Sequence, residues 1–122
     1  MGKAKAQSPR APRPFGYEWM TTQPLHAVVD ALGIDHRSRA AYWRLVEVGE
    51  LAIPAVRAGL RSDNPAVRRG CCEFLDLYWD EDAAIEVESL VADPDPEVRA
   101  MAAHALSCEW CKTDTWEKRA RG

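Results

Sequence analysis

The sequence predicts an all-α chain in which about three helix pairs stack into an α-solenoid, and three observations predict it. Segments 62–79 and 93–110 match at a constant offset of 31, which pairs Pro65 with Pro96, Val67 with Val98, Arg68 with Arg99, Leu75 with Leu106 and Trp79 with Trp110. Apolar residues in and around each segment recur at i, i+3, i+4 and i+7, the spacing of one helix face. An Asn-Pro or Asp-Pro pair stands where the second helix of each unit should begin, a capping acceptor followed by a proline that fits the first turn. A unit of about thirty residues cannot bury its apolar face alone, so such units stack on one another.

Taken in order, residues 1–16 read as a disordered basic tail. Their first fourteen residues hold Lys3, Lys5, Arg10 and Arg13, no acid, and no aliphatic side chain larger than alanine after Met1. Such a stretch has too little apolar surface to order itself. The repeat domain is expected over 17–111, in units of about 22–50, 51–80 and 81–111. In the first unit Leu25, Val28 and Leu32 form one helix, Gly33-Ile34-Asp35 a short turn, and Ala41, Leu45 and Val48 the second helix. The second unit places Ile53, Val56 and Leu60 before the break Ser62-Asp63-Asn64-Pro65, then Val67, Cys71, Leu75 and Tyr78. The third sets Val87 and Val91 opposite Val56 and Leu60, breaks at Asp93-Pro94-Asp95-Pro96, and continues with Val98, Ala102, Leu106 and Glu109. Glu97 adds favourable negative charge to the first turn of that last helix. Residues 112–122 read as a flexible tail. Phe15, Tyr17 and Trp19 at one end, and Trp110 and Trp116 at the other, are the candidates to close the stack. Open ends would leave it a homo-oligomer or part of a larger assembly.

The spacing of Pro54 to Val67-Arg68, and the stretch Asp93-Pro94-Asp95-Pro96-Glu97-Val98-Arg99, resemble HEAT repeats, in particular the bacterial type also found in phycobilisome lyases. The resemblance covers about 22–111, with Arg37 or His36 at the expected valine position of the first unit. It implies a scaffold that holds other proteins or regulates enzymes, and no catalytic residue. It also implies a ladder between neighbouring repeats, built by an aspartate ahead of the second helix and an arginine within it. Asp93, Arg99 and Arg68 match that pattern, and Ser62 stands where the aspartate would be.

Second helices usually line the concave side of such a stack. The residues opposite the apolar stripe there are Trp43, Glu47, Glu50, Glu73, Asp76, Asp80 and His104, an acidic groove with an aromatic anchor. The net charge of −3 conceals this polarity. Residues 1–14 and 112–122 are net basic, whereas 15–111 carries eight basic against seventeen acidic residues. A negative groove repels phosphates and attracts cations, so a basic protein segment is the expected ligand and nucleic acid is disfavoured.

Cys108-Glu109-Trp110-Cys111 forms a C-x-x-C with His104 on the same helical stripe. Those three are candidate metal ligands, but a fourth is wanting. Cys71 takes a small buried position, and adjacent Cys72 points elsewhere, so neither completes a site. Position near a helix C-terminus beside Glu109 also works against a reactive thiolate at Cys108 or Cys111. No cofactor is expected. The leading expectation is a non-enzymatic scaffold or adaptor; a lyase-associated subunit is the alternative, and a cysteine-based metal or redox protein a third. No apolar run approaches the ~18 residues of a membrane span. The start lacks the apolar stretch of an export signal, which points to a cytoplasmic protein with reduced cysteines. Arginine outnumbers lysine twelve to four, a bias in keeping with a GC-rich bacterial genome.

Overall fold

The structure, a computed structural model, describes residues 12–107. All regular structure in that range is helical. A single turn, α1 (Tyr17–Met20), precedes three helix pairs: α2 (Leu25–Ala31) with α3 (Ser38–Val48), α4 (Ile53–Gly59) with α5 (Pro65–Leu77), and α6 (Ala84–Ser89) with α7 (Pro96–Ser107). Short 3₁₀ turns at Gly49–Ala52, Glu81–Ala83 and Leu90–Ala92 join or extend them.

Capping explains where the longer helices start. At α5 the Asn64 side chain accepts from the Ala66 amide at 2.9 Å and Pro65 occupies the first turn. At α7 Asp95 Oδ1 accepts from the amides of Glu97 (2.8 Å) and Val98 (3.1 Å). These bonds satisfy amides that no earlier turn can reach. The α3 helix stops at Gly49, whose φ of +75° lies where a side chain would be strained.

Each unit contributes to one core. Val28, Ala41 and Leu45 come from the first pair, Val56, Val67, Cys71 and Leu75 from the second, and Val87, Val98 and Ala102 from the third. The central helix α5 is buried over a wider arc than the stripe Val67-Cys71-Leu75: Gly70, Cys72 and Phe74 are buried too. It has neighbours on both flanks, α3 and α7, and packs most extensively against α7. Cys72, expected to point away from the core, is therefore fully buried. Burial lifts the Cys72 thiol pKa to about 12 and pushes that of Cys71 up as well.

Two further positions differ from the sequence reading. Val91 is exposed although its counterpart Leu60 is buried, because α6 ends at Ser89 and the 3₁₀ turn Leu90–Ala92 brings Leu90 inward instead. At the start of the chain Tyr17 is buried, together with Met20, which the periodicity did not single out. Phe15 stays exposed, and Trp19 lies on the surface with the Arg37 guanidinium 4.0 Å above its ring. Residues 12–16, within the expected tail, bring Arg13 over the Tyr17 ring at 4.5 Å. Trp110, Trp116 and Glu109 lie outside the described residues.

Candidate functional site

Between α3 and α5 the surface opens into a groove of about 310 Å³. It exists because these helices touch less than α5 and α7 do. Two tyrosines span the gap at 3.3 Å each, Tyr42 donating its hydroxyl proton to the Glu73 carbonyl and Tyr78 to the Val46 carbonyl. Burial is the main reason that the Tyr42 hydroxyl pKa rises to about 12, with the carboxylates of Glu73 and Asp76 adding to it. This hydroxyl is a structural donor rather than an acid. Leu32, Ala66 and Gly70 form the floor. A β-carbon at Gly70 would stand 3.1 Å from Leu32 Cδ1, so glycine lets the floor close.

Trp43 and Glu73 line this groove from opposite helices. They occupy the same register position, one unit apart. Both are half-buried. Arg39 and Arg69 stand one turn earlier on the same two helices and line it as well. Sequence reasoning passed over these arginines because it followed the single stripe opposite the apolar face. Their offset of 30, the same that pairs Ala41 with Cys71, was the available signal.

The remaining expected groove residues are placed elsewhere or spoken for. Glu47 accepts the Tyr17 hydroxyl proton at 2.5 Å and lies 3.7 Å from Arg13 and 3.5 Å from Arg44. The Tyr17 hydrogen bond is the chief reason its carboxyl sits below the usual range. Glu47 thus fastens α1 to α3. Glu50 is exposed in the 3₁₀ turn beyond α3. Asp80 turns toward the first-helix layer, 3.9 Å from Arg57. Arg57 and Arg61 also hold Glu86, at 2.9 and 2.7 Å. Burial works to raise the Glu86 carboxyl, but hydrogen bonds from the two arginines outweigh it and leave it lowered. Asp76 meets His104 across α5 and α7 at 3.2 Å. His104 is exposed, and its companions in the C-x-x-C pattern, Cys108 and Cys111, lie outside the described residues. Among the described residues no cluster of three or more metal-ligating side chains forms.

Arg68, Asp93 and Arg99 form a separate junction between the second and third units. Arg68 grips the Asp93 carboxylate with two donors, Nε at 2.9 Å and Nη2 at 3.0 Å. Its third contact, Nη1 to the Ser62 carbonyl at 2.8 Å, goes six residues back along the chain. Arg99 repeats that last contact on the Asp93 carbonyl at 2.9 Å, also six residues back. Ser62 keeps the turn role of Asp93, accepting from the amide two residues on, but brings no charge for a first-unit arginine. Among the described residues the ladder has one charged rung.

Among the described residues no helix is long and apolar enough to cross a membrane. A family model described as HEAT repeats matches residues 25–107. No curated protein and no solved structure matches the chain.

Proposed function

The chain belongs to the HEAT repeat family, and from that premise we propose that it is a non-catalytic adaptor that docks a segment of another protein in the groove between α3 and α5. HEAT repeats generally mediate protein–protein interaction. The observation that carries the proposal is the meeting of Trp43 and Glu73 in a groove whose floor is apolar. An aromatic side chain on such a floor offers contact area with little rotamer entropy to lose, as interface anchors do. The charged rim around it supplies register.

Affinity capture with the wild-type chain, Trp43→Ala and Glu73→Arg tests the groove. Proteins captured by the wild type should be lost, or at least tenfold depleted, with Trp43→Ala; an anchor residue is worth about 2 kcal/mol. A capture profile unchanged by both substitutions removes the groove from the binding surface. The narrower likeness to repeats of phycobilisome lyases rests on the spacing of Pro54 to Val67-Arg68 and on the stretch 93–99. Bilin transfer to an acceptor protein that depends on the chain would establish a lyase-associated role against ours.

A further inference from the structure

We infer that the segment this groove accepts carries an acidic residue, set between Arg39 and Arg69, rather than the basic stretch that the net charge of the repeat body suggests. The inference rests on the groove being the docking site and concerns what fills it. Its ground is charge complementarity at the groove itself. The charged side chains lining it are Arg39, Arg69 and Glu73, so cations outnumber anions there two to one. Of the other acids expected in the groove, Glu47 is engaged with Tyr17 and two arginines, Asp80 with Arg57 and Asp76 with His104, while Glu50 lies in the turn beyond α3.

Both arginines are exposed, and they hold the same register one unit apart. Among the described residues Arg39 forms no ion pair, and Arg69 has only a loose one, 3.8 Å from an exposed Glu97. Arg39 stands in the first turn of α3, where the helix dipole adds positive potential, and Arg69 in the second turn of α5. Side chains on helices about 8–10 Å apart can converge on one carboxylate between them. One turn further along, Glu73 gives the groove a negative end, so the acidic residue has a defined direction. The position next to it, toward Glu73 and Trp43, suits a lysine or arginine whose stem lies on the indole.

The test is a displayed library of random heptapeptides selected on the full chain, with the Arg39→Gln/Arg69→Gln variant beside it. Both arginines are exposed, and thermal melting of the variant confirms that it folds. The wild type should enrich peptides with Asp or Glu at one position. The variant should bind those peptides about tenfold more weakly, the loss of a charge-assisted hydrogen bond. Enriched peptides that carry only Lys or Arg, or an acid preference that survives in the variant, overturn the inference. In either case the groove still stands as the docking site if Trp43→Ala abolishes binding. A library that yields no binder sensitive to Trp43→Ala counts against both the occupant and the groove.

Discussion

Asp93 is 6% exposed, yet three donors reach its carboxylate and favour the charged form. Arg68 supplies two and the Asp95 amide a third at 2.9 Å. The Arg68 hydrogen bond does most to hold its carboxyl below the usual range, against the opposing effect of burial. A group whose folded pKa lies below its unfolded one stabilises fully above the unfolded value, and that stabilisation fades as pH falls through the folded value. Melting temperature should therefore hold near neutrality and fall on acidification below the ordinary aspartate range, around pH 4. Glu47 and Glu86 are lowered too and act in the same direction. Asp93→Asn should cost about 2 kcal/mol at pH 7, since it leaves Arg68 with a neutral partner. It should also flatten the acid limb, so that variant and wild type converge as pH falls through the lowered Asp93 value. A constant gap between their melting curves across that range would show that the pair does not carry the effect. The Asp93-to-Arg99 pattern was legible through the resemblance to HEAT repeats, although only the arginine recurs in both units and Ser62 replaces the second aspartate. The burial of Cys72 was not: one helical stripe is enough for an end helix, whereas α5 has neighbours on two sides.

Between α4 and α5 the controlling feature is the absence of a side chain. A β-carbon at Gly59 would lie 2.6 Å from both Cys71 Sγ and Val29 Cγ1, atoms of two buried residues on different helices. Alanine would gain up to about 1 kcal/mol in helix propensity. The overlap costs more, because neither neighbour can move into solvent and overpacking typically runs to about 1–3 kcal/mol. Gly59→Ala should lower stability in urea titration, and Cys71→Ala on the same chain should recover part of the loss. Additive effects of the two changes would mean that the sulfur does not set the spacing. Helix starts were legible from Asn64-Pro65 and Asp95-Pro96, since capping is local chemistry. The close approach at Gly59 was not, because it depends on which helix crosses at that point. The same holds for Val91: a change from α-helix to 3₁₀ turn rotates it to the surface while leaving the apolar pattern intact. It holds again for Arg39 and Arg69, whose meeting in one groove depends on how far α3 stands from α5.

Across the whole molecule the packing is uneven. The second and third units join chiefly through α5 and α7, and through Arg68 and Asp93. The first unit meets the second mainly through α2 against α4 and α5, while α3 touches α5 only lightly and leaves the groove, and the unit is closed on its outer side by α1. That closure rests on fully buried Met20 and on the Tyr17 hydroxyl bound to Glu47. Stacked repeats gain stability from nearest neighbours, so damage at one end need not spread to the other. Met20→Ala removes a buried side chain at a cost of about 2–5 kcal/mol. Native-state hydrogen exchange of this variant should show faster exchange through α1, α2 and α3, while amides of α5 and α7 keep most of their protection. The groove would then loosen from the α3 side, and binding at Trp43 would weaken although Met20 touches no ligand. Equal loss of protection from α1 through α7 would instead mark a single cooperative unit, in which the contacts of α2 with α4 and α5 transmit the end's stability to the whole. The two outcomes separate a groove wall that can move from one fixed by the rest of the stack. That in turn decides whether a docking segment meets a preformed cleft or helps to hold it open.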